Sequence, residues 1–212
     1  MTKSARNKTI DFDLDHAPAG VLEQIVTLQP GPVSLTAIRD RSINGDSFQL
    51  VQQFPDQFAD LALVDPPYNL DKHYDGLNFK HQSTDEYQEY TQRWIDLVKP
   101  KLKPHASLYV FADWQTSIAL APVLTANFTV KNRITWQREK GRGAKGNWKN
   151  GMEDIWFLTM DDKKYTFNVD QVKQRRQVIA PYRENGQAKD WHESAAGRFR
   201  DTMPSNFWDD IS

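Results

Sequence analysis

Residues 59 to 70 read Ala-Asp-Leu-Ala-Leu-Val-Asp-Pro-Pro-Tyr-Asn-Leu, an apolar run that stops at an acid, two prolines and a tyrosine. Asp65, Pro66, Pro67 and Tyr68 have the types and the order to hold an amine. Each proline fixes its own φ and pushes the residue before it toward extended geometry, so the turn is stiff. Neither proline has an N–H, but both keep a carbonyl oxygen. A carboxylate oxygen of Asp65 and the Pro66 carbonyl are pure acceptors, and together they can grip the two hydrogens of an –NH2 group. Tyr68 then offers a flat face to a ring, a contact worth about 1–3 kcal/mol for a nucleobase. The plain alternative is a Pro-rich turn with a buried tyrosine.

Such a turn must be positioned by strands. The run before Asp65 is nearly continuous in apolar residues, as in a strand buried on both faces. Residues 41–46 form a candidate short strand ending at Gly45-Asp46, and 47–54 place Phe48, Val51 and Phe54 at helical spacing behind a Ser47 cap. Residues 83–102 are amphipathic, with Tyr87, Tyr90, Trp94, Ile95, Leu97 and Val98 on one face. Ser83 or Thr84 caps that helix, and Pro100 to Pro104 closes it. Residues 106–113 read as a second buried strand ending in Asp113, and 114–124 as a helix. Two late strands, 128–139 and 152–160, flank a Gly- and Lys-rich loop. Strands alternating with helices, then a late pair, predict an α/β fold with a mostly parallel sheet and an antiparallel hairpin at its edge. Ligands of such sheets sit beyond the carboxyl ends of the strands. Asp46, Asp65 and Asp113 all fall at expected strand ends and can share one edge. Residues 1–40, broken by Pro18, Pro30 and Pro32, predict an arm or cap with one short helix over 19–28.

Composition bounds the rest. A chain of 212 residues suits one sizeable domain. Hydrophobic residues are 39% and aromatics 12%, enough for a core that takes most of tryptophans 136, 148, 156, 191 and 208. With no cysteine there is no disulfide framework or thiolate site. Histidines 16, 73, 81, 105 and 192 are scattered without ligand spacing, so no metal is expected. No run approaches the roughly 18 apolar residues of a membrane helix, and the first residues lack the apolar centre of a signal peptide. A cytosolic, soluble protein is the expectation. The net charge of −1 hides an asymmetry. Residues 1–130 hold 11 Lys/Arg against 16 Asp/Glu, while 131–200 hold 16 against 9, so the later part suits an anionic partner.

Residues 41 to 211 resemble the amino-methyltransferases of DNA. These methylate exocyclic amines with S-adenosylmethionine and carry an Asp/Asn/Ser-Pro-Pro-Tyr/Phe/Trp motif at the end of a central strand. Beside the motif, the segments 43–70, 105–114 and 133–160 are similar to successive stretches of that family, in the order of its β group of restriction-modification enzymes. The resemblance implies that residues 41–160 are the catalytic α/β part and 161–212 a target-recognition segment. It implies that Asp65, Pro66, Pro67 and Tyr68 serve a flipped base, with Asp46, Asp65 and Asp113 near the cofactor. The Asp form of the motif leans toward adenine N6, with cytosine N4 the alternative. Arg138, Lys140, Arg142, Lys145 and Lys149 become phosphate contacts in a cationic loop. Lys173, Arg175, Arg176, Arg183, Arg198 and Arg200 become candidate readers of double-stranded DNA.

The family's other signature, a Phe-x-Gly-x-Gly turn that binds the methionine part of S-adenosylmethionine, has no counterpart among the ten glycines. The resemblance therefore implies an incomplete Rossmann-like sheet. A central strand would show a bare apolar edge, an aggregation hazard. The expectation is one part of a split enzyme, a heterodimer completed by a second polypeptide that carries the glycine turn. A truncated fragment, a non-catalytic DNA-binding subunit, and an RNA or protein amine methyltransferase are the alternatives.

Overall fold

A computed structural model describes residue 20 and residues 22–74, 77–138, 145–179, 182–195 and 197–209. The chain forms two compact units, Met1–Phe58 and Ala59–Ser212. The expected arm of residues 1–40 falls within the first.

In that unit a 3-10 turn at Leu22–Gln24 leads into β1 (Ile25–Val26), which pairs in parallel with β2 (Ser42–Ile43). The helix expected over 19–28 does not form among the described residues. β-branched Ile25 and Val26 take the strand instead. A one-turn α1 (Leu35–Ile38) is capped by Ser34. α2 (Ser47–Leu50) runs on into a 3-10 turn, Val51–Gln53. Its cap is Asp46 rather than Ser47: the Phe48 N–H donates to Asp46 Oδ1 at 2.8 Å. Gly45 before it has φ +152°, a backbone conformation open chiefly to glycine.

The second unit begins with β3 (Ala59–Val64), followed by an antiparallel pair, β4 (Lys72–Tyr74) and β5 (Leu77–Phe79). α3 (Thr84–Val98) opens on a capping box in which the Ser83 and Glu86 side chains satisfy each other's backbone N–H groups. Then come β6 (Leu102–Ala112), α4 (Trp114–Asn127), β7 (Thr129–Gln137) and β8 (Met152–Thr159). Smaller strands close the chain: β9 (Gln174–Gln177), β10 (Arg183–Glu184), β11 (Gln187–Ala188), β12 (His192–Ser194), β13 (Gly197–Thr202) and β14 (Phe207–Trp208).

The main sheet has five strands in the order β14-β7-β8-β6-β3, all parallel except β8. The fold is thus α/β with a mostly parallel sheet, and β7–β8 is the expected late pair, but it does not lie at the sheet edge as expected: β14 pairs outside β7, and β8 is the middle strand. β6 starts earlier than the sequence suggests and contains Pro104. The β3–β6 register slips between Ala59 opposite Leu102 and Leu61 opposite Ser107, so Pro104 lies where the ladder is already interrupted.

One sheet face packs on the helices. It carries Leu108, Val110 and Leu158, all buried, and Trp156 donates its indole N–H to Ser117 Oγ on α4 at 3.1 Å. Gln88 on α3 donates to the Ala119 carbonyl, joining the two helices. The opposite face carries Tyr109 stacked on Phe157, centroids 4.7 Å apart, with Ile134, Ile155, Tyr165 and Trp208 around them. β3 lies at the sheet edge. Leu63 pairs with Tyr109, so alternation puts Leu61 and Leu63 on this second face, and they are 53% and 66% exposed. A strand buried on both faces was one expectation for this run, and the structure corrects it. Among the described residues β3 has one neighbour in this sheet, β6.

Candidate active site

Asp65 follows the last residue of β3, and Asp113 follows the last residue of β6, its parallel neighbour. Both therefore stand at the carboxyl end of the sheet, as the strand pattern predicts. Asp46 belongs to the first unit.

Four hydrogen bonds fix the turn after β3. The Tyr87 hydroxyl, on α3, donates to the Pro67 carbonyl at 2.8 Å. The Asn69 N–H donates to Thr116 Oγ1 at 3.0 Å, and the Asn69 side chain both donates to and accepts from the Gln82 backbone. Thr116 is itself held, since its N–H donates to Asp113 Oδ1 at 2.8 Å as the cap of α4. Asp113 is buried and spent on this cap, so it steadies the turn from below. Burial pushes the Tyr87 phenol's ionisation well above its ordinary value, with Tyr90 and Asp113 adding to the effect.

Beyond the turn opens a cavity of about 810 Å³ lined by Asp65, Pro66, Pro67 and Tyr68 together with Phe79, Phe111, Trp136, Arg138 and Glu153. Asp65 is exposed into it, Pro66 is buried and Tyr68 is half-buried. The Tyr68 hydroxyl donates to Glu153 Oε2 at 3.2 Å, across 85 residues of sequence. Its ionisation is driven far up, first by burial, then by the negative charges of Glu153 and Asp65 and by hydrogen bonding to both carboxylates. Glu153 Oε1 accepts from Arg138 Nη1, and the Arg138 guanidinium lies 5.5 Å over the Trp136 ring. The cavity thus brings carboxylate and carbonyl acceptors, ring faces and the Arg138 guanidinium together.

Sequence reasoning found the turn and missed Tyr87, Thr116, Phe111, Trp136 and Glu153. Only the Phe and Trp positions carried a local signal, at the carboxyl ends of β6 and β7. Nothing near Glu153 announces a partner on another strand.

The structure sorts the cationic candidates. Arg138 points to Glu153 at the cavity rather than into a free loop. Lys173 pairs with Asp170, Arg175 with Asp201, and Arg198 with Glu193. Arg183 donates to the Gly186 carbonyl and lies over Trp191. Arg176 and Arg200 are directly opposite each other on β9 and β13. Among the described residues neither makes a salt bridge. Lys145 and Lys149 are exposed, while Lys140 and Arg142 lie outside the described residues. Trp148, expected in the core, is 93% exposed between those two lysines. Among the described residues no helix is long and apolar enough to cross a membrane.

Fold and site together define an α/β protein with its cavity at the strand ends, walled by rings and carboxylates behind an Asp-Pro-Pro-Tyr turn. The model of one DNA methylase family, N6_N4_Mtase, matches residues 59–209, and the chain belongs to that family. It is 33% identical over 153 residues to the type II methyltransferase M1.MboII of Moraxella bovis, covering 71% of this chain and 54% of that protein. It is 27% identical to the type II methyltransferase M.HpaI of Haemophilus parainfluenzae, over 80% of this chain and 50% of that one. It is also 27% identical to the DNA adenine methyltransferase YhdJ of Escherichia coli, over 79% and 56%. The chain spans about half the length of these relatives.

Proposed function

We propose that this chain is the catalytic and target-recognition part of a DNA adenine N6-methyltransferase of the restriction-modification type. The observation that carries the reading is the Asp65–Tyr68 turn, held at the carboxyl end of β3 by Tyr87 and Thr116 and facing a cavity of about 810 Å³.

An adenine amine is a poor nucleophile because its lone pair is delocalised into the ring. Asp65 and the Pro66 carbonyl accept its two hydrogens and favour a pyramidal nitrogen whose lone pair points out of the ring plane. The stiff turn supplies this arrangement before the base arrives, so catalysis rests on positioning. The base enters flipped from the duplex and stacks on Tyr68. When bound, S-adenosylmethionine would supply the methyl to the amine nitrogen, its sulfonium leaving as a neutral thioether and the surplus amine proton passing to the Asp65 carboxylate or to water. The cavity fits such a cation, since Asp65 brings a negative charge and Tyr68, Phe111 and Trp136 bring ring faces, the Glu153 charge being paired with Arg138. Asp65 and the β3 end would hold its methyl-bearing side.

DNA would be held by the exposed Lys145 and Lys149 and by the pair Arg176 and Arg200. Like charges directly opposite on neighbouring strands repel, and a phosphate between them relieves that repulsion.

A second polypeptide bearing the glycine-rich turn completes the cofactor pocket by adding strands to β3. One fact favours it: Leu61 and Leu63 on that strand are largely exposed. Calorimetric titration with S-adenosylmethionine tests this part. The chain alone should not bind, and a complex with such a polypeptide should. Binding and methylation by the chain alone would remove the second polypeptide from the reading. For the reaction itself, Asp65→Ala in the assembled enzyme should abolish methyl transfer, read as N6-methyladenine by mass spectrometry, and leave DNA affinity largely intact. Full activity in that variant, or a product of N4-methylcytosine, would overturn the assignment.

A further inference from the structure

The Tyr68 hydroxyl has one hydrogen and two carboxylates that compete for it. It donates to Glu153 Oε2 at 3.2 Å, while Asp65 lies close enough to act on the same hydroxyl. The phenol stays protonated at any working pH, so the hydrogen is always present to be placed. The target amine also donates hydrogens, and it needs Asp65. Phenol and amine are therefore rival donors for one acceptor.

Glu153 is built to resolve the rivalry. It stands at the start of β8, with its side chain 12% exposed. Its second oxygen is bound by Arg138, whose backbone N–H donates to the Gly151 carbonyl at 2.7 Å and whose guanidinium lies over Trp136. The carboxylate is thus fixed at the cavity wall, and its charge is balanced by the Arg138 guanidinium. Both rivals are carboxylates, so it is this fixed position, 3.2 Å from the hydroxyl, that gives Glu153 the hydrogen.

We propose that Glu153, anchored by Arg138, is a positioning residue: it takes the Tyr68 hydrogen so that Asp65 remains available to the amine. The inference rests on the reading that Asp65 accepts the target amine, and it assigns Glu153 a part in the reaction without contact to the substrate. It also gives the Tyr68 hydroxyl a cost as well as a use. The ring is needed for stacking, whereas the hydroxyl becomes a liability once its own acceptor is gone.

The test is a double-mutant cycle in the assembled enzyme, with single-turnover methyl transfer as the readout. Glu153→Ala should lower the rate about ten- to a hundredfold, the worth of a hydrogen bond to a charged acceptor, with DNA affinity unchanged. Adding Tyr68→Phe, which removes the competing hydrogen and keeps the ring, should restore at least about tenfold of that loss. A merely structural Glu153 would give a loss that Tyr68→Phe leaves in place, and that result overturns the proposal, as does an unchanged rate in Glu153→Ala. Glu153→Met, which keeps the bulk of the stem, replaces the alanine variant if that one does not fold.

A crystal structure of the Glu153→Ala chain gives a second readout that needs no activity. The Tyr68 hydroxyl should be found on the Asp65 carboxylate, and a hydroxyl turned elsewhere refutes the competition. If the unmutated assembled enzyme transfers no methyl, the functional reading falls while the position of that hydroxyl still decides this inference.

Discussion

Tyr87→Phe separates two consequences of a single buried hydroxyl. Tyr87 is only 3% exposed, and its hydroxyl donates to the Pro67 carbonyl at 2.8 Å. Removing that oxygen at pH 8 should cost about 1 kcal/mol, the net worth of one neutral hydrogen bond. The sign reverses in alkali. The folded-state pKa of Tyr87 is raised, mainly by burial, so the native chain keeps a proton that the unfolded chain gives up near pH 10. The stability tied to that proton is fully present below pH 10 and drains away as the pH rises toward the folded value, at about 1.4 kcal/mol per pH unit. Phenylalanine has no such proton. The variant should therefore be the less stable protein at pH 8, equal the parent near pH 11 by this arithmetic, and be the more stable one above that. Urea unfolding of both proteins at pH 8, 9, 10, 11 and 11.5 measures the difference, and effects common to the two cancel. A difference that stays constant with pH would mean that Tyr87 ionises as readily folded as unfolded, and the anchoring of the Pro67 carbonyl would have to be abandoned.

Two further perturbations test the arms of the site. Arg176→Ala with Arg200→Ala should flatten the dependence of DNA affinity on salt by about two in the log–log slope, one phosphate for each cation. An unchanged slope would show that the facing pair on β9 and β13 does not meet the backbone. Asn69→Ala removes both hydrogen bonds to the Gln82 backbone, at 2.9 and 2.7 Å. It should lower stability by about 1–2 kcal/mol and speed amide exchange at Gln82. Unaltered exchange there would place the rigidity of the turn elsewhere.

How legible each part was in sequence follows from the range of the interactions that make it. The Asp-Pro-Pro-Tyr turn is local chemistry, and so is the capping box of Ser83 and Glu86, whose spacing is visible in the chain before any fold is known. Alternating apolar runs and amphipathic stretches predicted β3, α3, β6, α4, β7 and β8 because each buries a face of its own. The first unit was harder. Its strands are two residues long, so no period can be read from them, and Asp46 took the cap by one position over Ser47. Exposure was misread where composition stood in for environment. Trp148 looks like core by type, but it sits in a Gly- and Lys-rich stretch with no strand to bury it. The basic candidates looked alike in sequence, and only cross-strand register separates Arg175, neutralised by Asp201, from Arg176, which faces Arg200.

Glu153 marks the limit of such reading for a physical reason. Its partner Tyr68 is 85 residues away, and the two meet only because the β7–β8 hairpin returns beside β6 with Glu153 at the sheet end where β3 also stops. A glutamate beginning an apolar strand reads as a solvated end residue, and in sequence nothing distinguishes it from Asp154 next to it. In the structure the two diverge by strand alternation alone. Asp154 is turned under the helix face, wholly buried, with Arg133 Nε 3.6 Å away, and Glu153 is turned to the cavity between a phenol and a guanidinium. A one-residue slip in the β7–β8 register would exchange them, turning Glu153 away from Tyr68 and leaving only the shorter Asp154 at the cavity. The chemistry of the motif on β3 therefore depends on the pairing of two other strands, and a variant that shifts that register should lose activity with Asp65, both prolines and Tyr68 all intact.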